Sequence, residues 1–190
     1  NEHFNPSNSD LHEVVMIADK DGNILNTSGA ASNIPIAGGL VDGYGHINKF
    51  GATDGDVSGG TIWDGNSGST AYPYPDNSVV AVASTANSTA NVYIEGLDAS
   101  YNAQSETVAI GSSGTKVFSR IFRAYMVDTN NDADVTLSLS SVVVAKIIED
   151  NGQTLMAVYT VPAGKTAYLM KLQMGSDKAS TNSAMSYSLM

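Results

Sequence analysis

The sequence predicts an all-β protein: an antiparallel β-sandwich, jelly-roll-like domain that carries an N-terminal hairpin and a long glycine-rich arm. Two observations lead to this fold class. Short stretches of alternating apolar and polar residues recur along residues 78–190, and clusters of Gly, Asn, Asp and Ser separate them. No stretch of about ten residues or more has the apolar stripe of an amphipathic helix. With 190 residues, the chain is long enough for one such domain plus an arm.

The first segment, residues 1–27, is predicted to contain a β-hairpin. Residues 11–18 and 23–27 are strand-like, and an Asp21-Gly22 pair lies between them. Asp-Gly tolerates the positive φ angles of a tight hairpin turn, so we expect the two stretches to pair antiparallel.

The second segment, residues 28–77, is the predicted arm. It holds 11 of the 18 glycines and shows no sustained periodicity, yet it is too apolar for a solvated linker. We therefore expect it to lie in extended form on its own sheet, on a neighbouring subunit or on another partner. Five aromatic residues of the arm are the candidate partner-binding residues: Tyr44, Phe50, Trp63, Tyr72 and Tyr74. For Trp63, Tyr72 and Tyr74 there are two alternatives: they hold the arm against its own sheet, or they form a platform on which sugars stack.

The third segment, residues 78–190, is the predicted sandwich domain. A Pro162-Ala163-Gly164 turn is expected to join residues 153–161 and 165–174 into an antiparallel hairpin. The strand-like pattern at 184–190 runs to the last residue, so we expect the domain to continue further. The other strands are predicted at 89–95, 106–110, 116–127, 135–140 and 141–148.

Composition and charge exclude several function classes. The net charge is −10, and no basic stripe offers the phosphate contacts that nucleic acid or an anionic membrane needs. No apolar run approaches the roughly 18 residues of a membrane span, and there is no Cys. Residues 1–110 hold 13 acids and two bases, which either keeps the protein soluble or forms an acidic surface for a basic partner.

One acidic stretch is a candidate metal site. Asp128, Asn130, Asp132 and Asp134 place oxygen ligands at alternate positions between two strands, as a Ca²⁺ loop requires, and a solvated turn is the alternative. Neither His-Glu-x-x-His nor Gly-x-Ser-x-Gly occurs. We therefore expect no enzymatic activity and no cofactor.

Four segments of the chain resemble, in the same order, segments of a known protein family. They are GGTIWDGNSGSTAYPYP (59–75), VYIEGLDASYNAQSETVAI (92–110), SRIFRAYMV (119–127) and NGQTLMAVYTVPAGKTAYLMKLQM (151–174). In this order they resemble small virion structural proteins of tailed bacteriophages of marine and environmental type. These are turn-and-strand signatures, so the resemblance implies a structural component of the particle.

Within such a particle, the all-β pattern, the arm at 28–77, the acidic residues of 1–110 and the lack of catalytic motifs lead us to expect a capsid decoration, or cement, protein on the outer surface of the head. The expected partners are the major capsid protein and further copies of this chain in a homotrimer, with no nucleic acid and no membrane. A head-fibre or tail-fibre module that binds host glycans is the main alternative. A depolymerase fragment is a third, and it requires two carboxylates about 5–10 Å apart in a groove.

Overall fold

The computed structural model describes residues 16–18, 24–26, 36, 41–53, 61–65, 71–86, 89–127 and 129–175. The chain forms two compact units, residues 1–48 and 49–190. This division differs from the predicted boundaries at 27 and 77. The second half of the predicted arm belongs to the same unit as the sandwich, because it supplies residues to the sandwich core.

The first unit contains the predicted N-terminal hairpin. Strand β1 (Met16–Ala18) pairs antiparallel with β2 (Ile24–Asn26), with Met16 opposite Asn26 and Ala18 opposite Ile24. The turn between them lies outside the described residues. Further along this unit, the backbone N–H of Tyr44 donates to Val41 O at 3.2 Å in a turn.

The second unit is built from two antiparallel sheets. Its described strands are β3 (Ser78–Ser84), β4 (Asn91–Leu97), β5 (Ala103–Ala109), β6 (Ser113–Phe118), β7 (Arg120–Val127), β8 (Val135–Leu139) and β9 (Val142–Ile147). The four-stranded sheet has the order β6-β3-β8-β9 and the three-stranded sheet the order β5-β4-β7. The predicted single strand 116–127 is divided at Ser119 into β6 and β7, which lie in different sheets.

Both sheets contribute to one hydrophobic core. Alternate residues of each strand point inward, as the period of two requires: in β8 every second residue from Val135 to Leu139 is buried. The four-stranded sheet adds Val80 and Ile147, and the three-stranded sheet adds Ile94. The predicted all-β class with antiparallel sheets is confirmed, while the jelly-roll topology stays a prediction.

A glycine allows close approach between two strands of the three-stranded sheet. The register of β4 against β7 shifts between Glu95 and Gly96. A Cβ atom at Gly96 would lie 2.1 Å from Arg120 O and 2.8 Å from the Phe118 ring. Only glycine fits this bulge without moving the backbone of β7.

The predicted C-terminal hairpin forms its turn but not its strand pairing. Gly164 has φ +69° and Lys165 N–H donates to Pro162 O at 3.2 Å, as the turn prediction requires. Residues 152–157, however, lie between β7 and the described residues 52 and 62–64. Both backbone edges of 152–157 are therefore occupied, so this part of the predicted strand has no edge for residues 165–174. The bonds are Met126 N to Gly152 O, Thr154 N to Ala124 O, Ala52 N to Leu155 O and Ala157 N to Ile62 O.

Candidate interaction surface

The aromatic residues of the predicted arm divide into a buried and an exposed group. Trp63 and Tyr72 are only 3% and 5% exposed and belong to the core, whereas Tyr74 is 62% exposed. Tyr44 and Phe50 are exposed as well. Because their own chain covers Trp63 and Tyr72, these two rings offer neither a partner contact nor a sugar-stacking platform.

Tyr72 links the two sheets at one side of the sandwich. Its hydroxyl donates to Val144 O of β9 at 2.6 Å and lies 3.3 Å from Ile121 O of β7. Its ring meets Trp63 edge-to-face, with centroids 5.2 Å apart. Burial raises the pKa of Tyr72, so the hydroxyl keeps its proton and remains a donor.

Glu106 links the sheets at the β5–β6 side. Its carboxylate accepts bonds of 2.7 Å from both the backbone N–H and the hydroxyl of Thr115, and one of 3.2 Å from Lys116 N–H. Burial alone would raise the pKa of Glu106, but these bonds together with the Lys116 charge lower it. Polar side chains therefore join β5 and β6, which belong to different sheets.

A cluster of two tyrosines and one arginine lies on the surface beside Tyr72; we call Tyr74, Arg120 and Tyr101 the Tyr–Arg cluster. The Arg120 guanidinium carbon is 4.8 Å from the Tyr74 ring centre and 5.6 Å from that of Tyr101. One of its nitrogens also donates to the Tyr101 hydroxyl at 3.3 Å. Tyr74 in turn packs edge-to-face on Tyr72, with centroids 5.3 Å apart. The cluster is thus anchored to the core.

The loop that carries Tyr101 is fixed by Asp98. The Asp98 carboxylate accepts from the backbone N–H groups of Asn102 and Ser100 at 2.9 and 2.8 Å, and these bonds lower its pKa. Tyr101 has φ +63°, an uncommon conformation for a tyrosine, and its carbonyl accepts from Ala163 N–H at 2.8 Å. No local pattern in the sequence indicates that Tyr101 meets Arg120.

Two of the candidate calcium ligands, Asn130 and Asp134, bond to other groups of the protein. Asp128 lies outside the described residues. The Asp134 carboxylate pairs with Lys146 at 2.6 Å and accepts from Glu149 N–H at 3.0 Å; the Lys146 bond is the main cause of its lowered pKa. Asn130 donates to Asp150 at 3.2 Å. In the described part of the chain, no three His, Cys, Asp or Glu side chains come together as a metal site would require.

The residue that organises this loop is Asn131, which is not among the predicted site residues. It is fully buried. Its amide nitrogen donates to Ile148 O at 2.8 Å and Ala133 O at 3.0 Å, and its amide oxygen accepts from Gly152 N–H at 2.9 Å. One side chain thereby joins the β7–β8 loop to the segment after β9. Nothing in the local sequence distinguishes Asn131 from its exposed neighbour Asn130.

Two partly buried charges, Lys49 and Asp64, belong to the part of the predicted arm that lies in the sandwich unit, residues 49–77; we call this part the former arm segment. Asp64 accepts from Leu155 N–H at 2.8 Å, and burial raises its pKa to about 6. Lys49 donates to Phe122 O and lies 5.7 Å from the Phe122 ring centre. Burial, and then the Arg123 charge, lower the pKa of Lys49 to about 8. Both groups titrate closer to neutrality than usual.

No helix among the described residues is long and apolar enough to span a bilayer. Comparisons with family models, with curated proteins and with solved structures give no match for this chain.

Proposed function

We propose that this chain is a structural protein of a tailed-phage virion: a capsid decoration protein that binds the major capsid lattice on the outer surface of the head as a homotrimer. The observation that carries the proposal is the Tyr–Arg cluster, a fixed and exposed contact surface on a sandwich whose sheets are linked by polar side chains on both sides. The sequence resemblance described above supports the same role.

A stiff scaffold suits this role. Tyr72 and Glu106 each join strands of different sheets, so the sheets resist sliding or separating at both places. A protein that reinforces a shell must transmit load between its contacts, and a close-packed interior of low compressibility suits that task.

The Tyr–Arg cluster has the composition of a binding hot spot. Tyrosine and arginine are enriched among the residues that dominate interface energies. Tyr101 is held by the Asp98 loop and Tyr74 by Tyr72, so little conformational entropy is lost when a partner binds. Repetition over a symmetric lattice then strengthens modest individual contacts through avidity.

The test is binding of the purified protein to expanded heads that lack it, followed by density maps of the decorated particle. We expect saturable occupancy at symmetry-related sites, with Arg120→Ala reducing the affinity by at least about tenfold. Arg123→Ala is the matched control, since Arg123 also stacks on a tyrosine, at 4.9 Å from the Tyr125 ring centre, but outside the cluster. Absence of binding, or location of the protein elsewhere in intact virions, would reject the proposal.

A head-fibre or tail-fibre module that binds host glycans is the second candidate. It is favoured by one observation, the exposure of the Tyr74 and Tyr101 rings, since sugars stack on such rings. A glycan array distinguishes the two functions: glycan hits that Tyr74→Ala abolishes support the fibre module, and an array without hits excludes it.

A further inference from the structure

Asn151 is the one asparagine of the chain that a glycine follows. Asparagine is a thermolabile residue, because the backbone nitrogen of the next residue can attack its side-chain amide. Glycine favours this attack, since it has no Cβ to shield the nitrogen or to restrict the backbone. Asn151 is also exposed to water. The Asn151–Gly152 pair therefore has the composition and the solvent access of a deamidation site.

This reaction needs no enzyme and no reactant other than water. The Gly152 nitrogen loses its proton to water or hydroxide and attacks Cγ of Asn151. A C–N bond forms, and the side-chain nitrogen takes up a proton and leaves as ammonia. Water then opens the resulting cyclic imide at either carbonyl, which gives aspartate or isoaspartate. Both products carry a carboxylate in place of the amide, and in isoaspartate the backbone runs through the side chain and is longer by a carbon atom.

The fold holds the groups that this reaction must move. Gly152 N–H donates to the Asn131 amide oxygen at 2.9 Å, and Gly152 O accepts from Met126 N–H at 2.8 Å. On the other side, Asn151 N–H donates to Ile148 O at 3.0 Å. These bonds fix the backbone on both sides of Asn151, and the bond to Asn131 occupies the N–H whose proton must be lost. Asn131 itself is fully buried.

The Asn131 side chain bonds to Gly152, Ile148 and Ala133, and we call these bonds the Asn131 junction. We propose that Asn151 is a deamidation site which the Asn131 junction keeps closed. Only molecules whose junction has opened locally react, because only there can the Gly152 nitrogen turn toward the Asn151 side chain. Isoaspartate then prevents closure, since the longer backbone displaces Gly152. The site is a one-way switch in the sandwich unit, and it is independent of the surface that the protein binds.

The first experiment compares the full chain in buffer and in guanidinium chloride at the same mildly alkaline pH, with peptide mass spectrometry as the readout. We expect deamidation at Asn151 to be at least about 30-fold faster in the denatured chain. The Gly152 amide should be protected from hydrogen exchange in buffer, because the same opening exposes its nitrogen to both reactions. Equal deamidation rates in the two solvents, no reaction in the denatured chain, or free exchange of the Gly152 amide overturns the proposal.

Three variants separate the junction from stability in general. Asn131→Ala removes the acceptor of Gly152 N–H and should accelerate deamidation of Asn151 in buffer at least about tenfold. Gly96→Ala, which disturbs the β4–β7 bulge instead, and Asn130→Ala, at the exposed neighbour, should leave the rate unchanged. Equal acceleration by Gly96→Ala, or a folded Asn131→Ala that reacts no faster, contradicts the proposal. If Asn131→Ala does not fold, the first experiment decides alone.

The reacted chain tests the one-way switch. Deamidation adds a negative charge, so ion exchange separates the product from the fresh protein, and peptide mapping identifies the isoaspartate fraction. We expect this fraction to melt at a lower temperature and to exchange the Gly152 amide freely, because its junction cannot close. An isoaspartate fraction with the melting temperature of the fresh protein shows that no such switch exists.

Discussion

The Tyr72 hydroxyl donates a hydrogen bond to Val144 O over 2.6 Å, and this bond fastens the former arm segment to β9. The same oxygen lies 3.3 Å from Ile121 O of β7, in the other sheet. Because the ring is buried against Trp63, water cannot replace the hydroxyl as donor. Both sheets therefore depend on a residue that lies outside every strand of the sandwich.

Tyr72→Phe tests the contribution of this bond to stability. The ring and its packing are retained, but the two carbonyls lose a buried donor, so we expect a loss of about 1–3 kcal/mol in unfolding free energy. Tyr74→Phe is the matched control, since Tyr74 is exposed and should change stability by less than about 0.5 kcal/mol. Chemical denaturation measures both. Equal stability of Tyr72→Phe and the unmodified chain would show that the bond is not a structural link.

Asn131→Ala tests the buried junction between the β7–β8 loop and the segment after β9. The substitution removes three hydrogen bonds and leaves Gly152 N–H and two carbonyls to find other partners. We expect a loss of about 2–4 kcal/mol. Asn130→Ala, next to it and exposed, should cost less than about 0.5 kcal/mol. If calorimetry gives similar melting temperatures for the two variants, Asn131 does not have the role assigned to it.

Gly96→Ala tests the bulge between β4 and β7. The added methyl would overlap Arg120 O, a backbone atom of the neighbouring strand, so the strands must separate locally. The expected loss is about 2–4 kcal/mol. Gly45→Ala places a methyl in open space and is the control, with a change below about 0.5 kcal/mol. A neutral Gly96→Ala, measured by urea denaturation, would contradict the close approach described here.

The strands were predictable because the burial of alternate side chains is a local property. In β8, Val135 and Leu137 alternate with Thr136 and Ser138 in the sequence, and the structure buries the apolar set. Which segment each strand pairs with depends on residues far away in the sequence, so no local pattern predicts it. Residues 165–174 have a strand pattern, but the predicted partner 153–161 is occupied by β7 and the former arm segment over 152–157.

The site was less predictable than the strands. Aromatic residues in a glycine-rich segment indicated burial against some surface, but not which surface. The structure buries Trp63 and Tyr72 in their own sandwich and leaves Tyr74 outside. The meeting of Tyr74 with Arg120 depends on the packing of segments 46 residues apart in sequence, for which no local pattern exists.

Asp64 gives the stability of the protein a specific pH dependence. Burial raises its pKa to about 6 from the ordinary 3.8, so between these values the folded chain binds more protons than the unfolded chain. Stability therefore falls as the pH rises from about 4 to 6 and this contribution is constant above that range. Asp64→Asn keeps an oxygen for the Leu155 N–H and removes the charge, so we expect it to raise the melting temperature at pH 7 and to flatten the slope between pH 4 and 6.

Asp98→Asn is the control for this measurement. Hydrogen bonds lower the pKa of Asp98, so its contribution to stability is present above about pH 4 and is lost as the pH falls through the folded value. Its substitution should leave the slope between pH 4 and 6 unchanged. Thermal melting of the three proteins at half-unit pH intervals separates the effects. The same slope in Asp64→Asn as in the unmodified chain would place the responsible proton on another group.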